Sequence, residues 1–104
     1  MESFKRSYLT LLLLSMLDRE EMYGYKLCQV VKERTRGQRE LKAGTVYPLL
    51  HILEEHQLIK GEWRIDPDGK RRRYFRLTEQ GRGYFRQEKE ARADRGFYEI
   101  GSQE

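Results

Sequence analysis

The spacing of hydrophobic residues changes once along the chain, and this change separates a helical part from a hairpin. Hydrophobic residues recur with the helical period over residues 4–17, 22–35 and 43–57. They then alternate with a period of two over residues 58–65 and 71–77, as in strands. The intervening Asp-Pro-Asp-Gly sequence is typical of a tight turn, because proline presets φ and glycine accepts a positive φ. Three helices followed by a two-stranded wing are therefore predicted.

The first predicted helix is hydrophobic on two sides. One side carries Leu9, Leu12, Leu13, Met16 and Leu17, and the other carries Phe4, Leu11 and Leu14. A surface helix of a monomer needs one hydrophobic face, so the second side requires a further partner. We expect a dimer interface there; the alternative is that the C-terminal segment of the same chain covers this side.

A fourth helix is predicted after the hairpin, with the hydroxyl of Thr78 as its N-cap. Gly81 and Gly83 each weaken its first turns by roughly 1 kcal/mol relative to alanine. Its thin hydrophobic stripe consists of Tyr84, Ala91 and Tyr98, with Phe85 beside it. Such a helix gains little by folding alone, and we expect it to dock on another surface such as the second side of the first helix. The expected fold is mainly α-helical α+β, with a winged helix-turn-helix domain at residues 1–78 and a dimerisation segment at residues 79–104.

Positive charge is concentrated in two blocks, although the net charge of the chain is only +4. Residues 32–42 carry five basic and two acidic side chains, and residues 60–76 carry seven basic and three acidic ones. Residues 43–59 contain no lysine or arginine. Clustering of this kind is typical of proteins that neutralise phosphates. The predicted wing bears four consecutive cations, Lys70 to Arg73, whose repulsion nearby phosphates would relieve; the alternative is a loop that is merely soluble.

The start of the third predicted helix is suited to close approach to base edges. It carries Gly44, Thr45 and Tyr47, which are small or flat groups, and its free N–H groups can bind a phosphate. A helix fits the major groove of DNA, and a hairpin can lie across the neighbouring phosphates. We therefore expect this helix start and the hairpin tip to project from the same side of the fold toward duplex DNA. RNA binding and protein interaction are the alternatives that the same fold allows.

Several other classes of function are not expected. Cys28 is the only cysteine, which excludes an internal disulfide and a multi-cysteine metal site. His51 and His56 point to different helix faces, so they make a poor metal pair, and neither a cofactor nor catalysis is expected. The hydrophobic run around Leu11–Leu14 is far too short to span a bilayer, so a cytoplasmic protein without a membrane partner is expected.

Four motifs, in order and with matching spacing, resemble the PadR family of bacterial transcriptional regulators. They are Met22-Tyr23-Gly24-Tyr25-Lys26-Leu27, the stretch from Leu41 to Leu50, Leu53-Glu54-Glu55 followed by Leu58-Ile59, and the stretch from Gly69 to Thr78. Together they span roughly residues 9–83. The resemblance is to the short subfamily, and it implies a homodimeric repressor that binds an inverted repeat through its second and third helices and its wing.

The resemblance also implies which residues take part. The expected DNA-binding set is Tyr25, Lys26, Lys42, Ala43, Gly44, Thr45, Tyr47, Pro48, His51, Lys70, Arg71, Arg72 and Arg73. The expected dimer interface is Phe4, Tyr8, Leu11, Leu14, Tyr84, Ala91 and Tyr98. The chain departs from the family at Lys42 and Ala43, where a serine-like cap and a proline are usual. Lys42 cannot accept the capping hydrogen bond, and we expect it to contact a phosphate instead.

Small aromatic or cationic compounds release some members of this family from DNA, through pockets at the dimer interface. The resemblance therefore adds a small aromatic effector to the expected partners. The aromatic residues in question are Phe4, Tyr8, Tyr84, Phe85, Phe97 and Tyr98. They either line such a pocket or simply pack the dimer, and no one of them matches a family-wide pocket motif.

Overall fold

The computed structural model describes residues 8–93 of the chain. Its elements follow in the order α1 (Tyr8–Arg19), β1 (Met22–Tyr23), α2 (Gly24–Arg34), α3 (Ala43–Glu55), β2 (Ile59–Ile65), β3 (Arg71–Leu77) and α4 (Glu79–Ala93). The predicted three helices, hairpin and fourth helix are all present, and the mainly helical winged fold is confirmed. In this described part, the helices are all too short or too polar to cross a membrane.

The sheet has three strands, one more than the sequence predicts. Residues 22–23 were expected to begin the second helix, but they form β1 and pair antiparallel with β3, so that the sheet order is β1-β3-β2. Met22 lies opposite Phe75, and Tyr23 lies opposite Tyr74. The pairing satisfies backbone groups that would otherwise be left open at the edge of β3. A two-residue strand is too short to leave a recognisable alternation in the sequence.

Helix α1 lies at the centre of the core, and this position corrects the expected dimer interface. Its residues from Thr10 to Leu17 are all buried. The exposed fraction of Leu11 is 1% and that of Leu14 is 0%. Helix α1 contacts both α4 and β3 of the same chain, which accounts for its second hydrophobic side. The prediction that Leu11 and Leu14 meet a second subunit is therefore wrong, and the alternative of coverage by the same chain is confirmed.

Helix α4 docks on α1 as the sequence predicts. The Thr78 hydroxyl caps it by accepting a hydrogen bond from the N–H of Gly81 at 2.9 Å, and it donates to the carbonyl of Gln57 at 2.6 Å. Phe85 is buried against the core. Tyr84 is half-buried and Ala91 is exposed, whereas Phe4, Phe97 and Tyr98 lie outside the described residues.

The end of α3 turns the chain sharply into the wing. The N–H of Leu58 donates to the carbonyl of Leu53 at 3.0 Å, and the N–H of Gln57 donates to that of Glu54 at 2.9 Å. This is the Schellman arrangement, and Gln57 occupies its left-handed position with φ of 63°. Helix α3 therefore ends two residues before the predicted end at residue 57, and β2 begins beside it.

The end of α2 uses the same arrangement. The N–H of Gly37 donates to the carbonyl of Lys32 at 2.8 Å. Arg36, with φ of 55°, occupies the first left-handed position after the helix, and Gly37 follows with φ of 83°. A hydrogen bond from the Arg39 N–H to the Thr35 hydroxyl, 3.0 Å long, holds the connection to α3.

Candidate nucleic-acid interface

At the first turn of α3, no side chain of that turn compensates the positive end of the helix dipole. Lys42 is the N-cap residue and makes no side-chain capping hydrogen bond, as predicted. Its carbonyl accepts the N–H groups of Thr45 and Val46, each at 2.9 Å. The first turn contains no acidic residue, so no carboxylate of that turn offsets the positive end of the helix dipole. This end of α3 is therefore favourable for a phosphate or another anion.

The outward side of α3 is open along its length. The exposed residues are Ala43, Gly44, Thr45, Tyr47, Pro48 and His51, all of them in the expected DNA-binding set. A Cβ atom at Gly44 would meet nothing within 4 Å. Packing within the described fold therefore does not require a glycine at this position, and the backbone there is accessible from outside.

Tyr47 is fixed by its contact with α2. A Cβ atom at Gly24 would stand 2.5 Å from the ring and hydroxyl of Tyr47, so only glycine allows the ring to lie there. Helices α2 and α3 therefore approach each other closely at Gly24. Tyr47 nonetheless keeps 47% of its surface exposed, and Tyr25, at the start of α2, keeps 61%. Lys26, beside it, is half-buried. The two exposed rings line a groove of about 720 Å³ between α2 and the connection that precedes α3.

The wing turns as its sequence predicts. The carbonyl of Asp66 accepts the N–H of Gly69 at 2.8 Å, and the N–H of Asp66 donates to the carbonyl of Lys70 at 2.9 Å. Gly69 has φ of 87°, the conformation for which glycine is suited. The carboxylate of Asp68 accepts the N–H of Lys70 at 3.0 Å. The tip is therefore a well-defined turn that carries Lys70 and Arg71 at its surface.

Arg72 is held by carboxylates of the turn itself. Its guanidinium lies 2.5 Å from Asp66 and 3.0 Å from Asp68, and it stands over the ring of Tyr23 at 4.9 Å. The Tyr74 hydroxyl donates to the other oxygen of Asp66 at 2.7 Å. Hydrogen bonds from Arg72 and from the Lys70 N–H lower the pKa of Asp68, so that this carboxylate stays charged to a lower pH than an ordinary aspartate. Arg72 thus stabilises the shape of the wing.

Arg73 reaches in the other direction, toward α3. Its guanidinium lies 2.6 Å from the carboxylate of Glu54. The four cations therefore divide into an internally paired half, Arg72 and Arg73, and an exposed half, Lys70 and Arg71. Mutual repulsion of all four was the wrong description, because three carboxylates of the chain already neutralise two of them.

The wing also exposes hydrophobic surface that the sequence interpretation did not assign to the site. Trp63 keeps 54% of its surface exposed and Ile65 keeps 73%. The guanidinium of Arg71 lies 4.7 Å from the centre of the Trp63 ring. Trp63, Ile65 and Arg71 share a face of the hairpin, since Trp63 pairs with Arg73 and Ile65 pairs with Arg71. The sequence did contain a sign of this exposure. Trp63 and Ile65 lie next to the turn of the hairpin, too far along it to pack on the core.

The exposed side of α3 and this face of the wing adjoin each other. They enclose a groove of about 470 Å³, which is lined by His51, Glu54, Glu55, Trp63 and Arg73. His51 lies one helical turn after Tyr47 and is 3.3 Å from Glu55. The middle of α3 and this face of the wing therefore border one groove. That the start of α3 and the tip of the wing also project from one side stays a prediction. Within residues 8–93, no group of three or more metal-ligating side chains comes together.

A profile of the PadR-like family of transcriptional regulators matches residues 13–87. The chain belongs to the PadR-like family. It is therefore a transcriptional regulator, and the resemblance found in its four motifs is confirmed.

Named relatives agree with this membership. The chain is 32% identical over 87 residues to the transcriptional regulator YqjI of Escherichia coli. This match covers 84% of this chain but only 40% of YqjI. A Streptococcus transcriptional regulator of known structure is 35% identical, with a TM-score of 0.74, and the match covers 85% of this chain and 84% of that one. The fold is also that of Bacillus subtilis PadR, solved in complex with operator DNA, with 23% identity and a TM-score of 0.68 over 76% of this chain and 45% of that one.

Proposed function

We propose that this PadR-like regulator binds duplex DNA through the first turn of α3 and the tip of the wing. The observation that carries the proposal is that two positive features of the fold are left without a compensating carboxylate. One is the helix start at Lys42, which has no side-chain cap and no acidic residue in its turn. The other is the exposed pair Lys70 and Arg71, which form no ion pair among the described residues, unlike Arg72 and Arg73.

Each feature has a role in this proposal. Helix α3 enters the major groove, with Thr45, Tyr47 and His51 directed to base edges. Lys42 and the N–H groups at the start of α3 bind a phosphate. Lys70 and Arg71 bind the phosphates beside the neighbouring groove. The B. subtilis protein, which has the same fold, was solved with operator DNA, and this supports the proposal.

The remaining expectations from the family belong to the same proposal. The regulator is a homodimeric repressor of an inverted repeat, and its pairing segment lies within residues 79–104. Because Leu11 and Leu14 are buried within one subunit, the proposed interface consists of the outer side of α4 and the start of α1. Its described members are Tyr84 and Ala91 on α4 and Tyr8 on α1. A small aromatic effector would bind at that interface.

A selection experiment tests this function. The purified protein is mixed with duplex fragments of random sequence, and the fragments it retains are sequenced. A palindromic sequence is expected, because a two-fold symmetric dimer reads two equal half-sites. Recovery without any common sequence, or tighter salt-dependent binding to structured RNA than to duplex DNA in gel shifts, would contradict the proposal.

Replacing Gly44 with alanine is expected to separate folding from binding. The new Cβ meets nothing in the fold, and alanine favours a helix over glycine by up to about 1 kcal/mol, so the thermal midpoint should rise or stay unchanged. Affinity for the selected duplex should fall, because the methyl group would stand between the helix backbone and the groove. Thermal unfolding and titration with labelled duplex measure the two effects.

The matched control is Gly83→Ala in α4, which also places a methyl group where nothing lies within 4 Å. This variant should gain stability and keep its affinity. Unchanged DNA affinity of the Gly44→Ala variant would show that the backbone of α3 does not approach the DNA closely at this point.

A further inference from the structure

One carboxylate oxygen joins the proposed recognition helix to both strands of the wing. Oε2 of Glu54, on α3, accepts a hydrogen bond from Arg73 on β3 at 2.6 Å. The same atom accepts the backbone N–H of Gly61 on β2 at 3.1 Å. The Glu54 side chain is 29% exposed and the Arg73 side chain is 34% exposed, so the pair is partly shielded from water. We call these three residues the helix–wing link.

The guanidinium group of Arg73 lies in a space bounded by Gly61 and two aromatic rings. A Cβ atom at Gly61 would stand 2.8 Å from the guanidinium carbon of Arg73, so a side chain there would displace it. The guanidinium carbon lies 5.8 Å from the ring centres of both Trp63 and Phe75. Glycine on one strand and aromatic rings on both strands therefore hold Arg73 in the direction of Glu54.

The other face of the hairpin has its own attachment. Arg64 forms an ion pair with Glu21, which precedes β1, and its guanidinium lies 4.8 Å from the ring centre of Tyr74. These contacts hold the outer face of the wing against β1. The helix–wing link supplies the matching contact on the inner face, toward α3.

In a protein that binds DNA, the charges of the link are placed unfavourably for simple attraction. Glu54 puts a carboxylate on the groove between α3 and the wing, where it repels phosphates, and it engages a cation that would otherwise attract them. The geometry explains this placement, because the link fixes the spacing between α3 and the wing. We propose that Glu54 is a positioning residue that holds the wing at the angle at which Lys70 and Arg71 reach the phosphates while α3 lies in the groove. This inference rests on the proposed DNA-binding function.

Neutralising two adjacent glutamates distinguishes positioning from simple electrostatics. Glu54→Ala and Glu55→Ala each remove one negative charge from α3, but Glu55 is exposed and pairs only with His51 among the described residues. Simple electrostatics predicts that both variants bind the selected duplex more tightly than the unaltered protein. Positioning predicts that only Glu55→Ala does so. Glu54→Ala should bind on the order of tenfold more weakly at 0.1 M salt, and its salt slope should fall by up to about 1.8 units, as when two phosphate contacts are lost.

Trp63, the only tryptophan of the chain, gives a second measurement without DNA. Its emission should change in Glu54→Ala and in Arg73→Ala, which both break the link, and should stay unchanged in Glu55→Ala. The double variant Glu54→Ala/Arg73→Ala should have the salt slope of Arg73→Ala alone, since the link is broken only once. Circular dichroism confirms that each variant is folded before it is compared.

The possible failures are distinct. If Glu54→Ala binds at least as tightly as Glu55→Ala with a full salt slope, or leaves the Trp63 emission unchanged, Glu54 has no positioning role. If the unaltered protein binds no duplex at all, the proposed function fails, and the positioning role fails with it even where the Trp63 emission responds.

Discussion

Replacing Gly81 with alanine is expected to destabilise the protein severely. A Cβ atom at this position would overlap the carbonyl oxygen of Leu58 and stand 2.8 Å from its carbonyl carbon. The Leu58 backbone cannot move aside easily, because its carbonyl accepts the Thr78 N–H at 3.1 Å and its own N–H donates to Leu53 at 3.0 Å. Overpacking of this kind costs about 3 kcal/mol when the neighbour is held in place. The thermal midpoint should fall on the order of 10–20 °C in a domain of this size.

Gly83 provides a control in the same helix, since a Cβ atom there meets nothing within 4 Å. Gly83→Ala should raise stability by about 1 kcal/mol, because alanine is the better helix former. Equal effects of the two substitutions in thermal unfolding would show that helix propensity alone governs this segment. In that case the contact between α4 and Leu58 would contribute nothing to stability.

Gly81 and Gly83 also show what the sequence could and could not predict about this fold. Helix propensity assigned the same cost to Gly81 and Gly83, since propensity depends on the residue type and not on the atoms packed around it. Their difference arises from the left-handed turn at Gln57, which brings the Leu58 carbonyl against the first turn of α4. The hydrophobic period identified the helices and the hairpin, but it contains no information on which backbone atoms meet.

The error at Leu11 and Leu14 has the same origin. A helix with two hydrophobic sides requires two partners, and this inference was correct. Periodicity could not decide whether the second partner was another subunit or another part of the chain. In the fold, α4 and β3 of the same chain occupy that place. The thin hydrophobic stripe of α4 predicted docking on another surface, and Phe85 of this helix is buried in the core.

At the candidate interface, the predictions of local structure were accurate, but the ion pairs of the wing arginines were not predicted. The uncapped Lys42 and the turn at Gly69 each follow from a single residue and its neighbours. The partners of Arg72 were available in the turn, because Asp66 and Asp68 lie within hydrogen-bonding reach across it. Glu54 was not recognisable as the partner of Arg73, since 19 residues separate them along the chain.

Removing the two exposed cations of the wing is expected to have the largest effect on DNA binding. In the variant Lys70→Ala/Arg71→Ala, each lost phosphate contact should reduce the slope of log affinity against log salt by about 0.9 units. The total is therefore about 1.8 units, rather than the larger value expected if all four wing cations contacted phosphates. Affinity at 0.1 M salt should fall by about one to two orders of magnitude. Stability should change by less than about 1 kcal/mol, because both side chains are exposed and Arg71 loses only its contact with Trp63.

The control removes the same charge from the base of the same hairpin. Lys60 and Arg76 are exposed and lie opposite each other in β2 and β3, far from the turn. Lys60→Ala/Arg76→Ala lowers the net charge of the protein equally, so any effect of net charge alone appears in both variants. Titrations over a range of salt concentrations should show a nearly unchanged slope for this control and a shallow one for Lys70→Ala/Arg71→Ala. Equal slopes would exclude the wing tip from the interface and leave α3 as the DNA-binding element, because each protein cation that contacts a phosphate releases counterions from the DNA and so contributes to the slope.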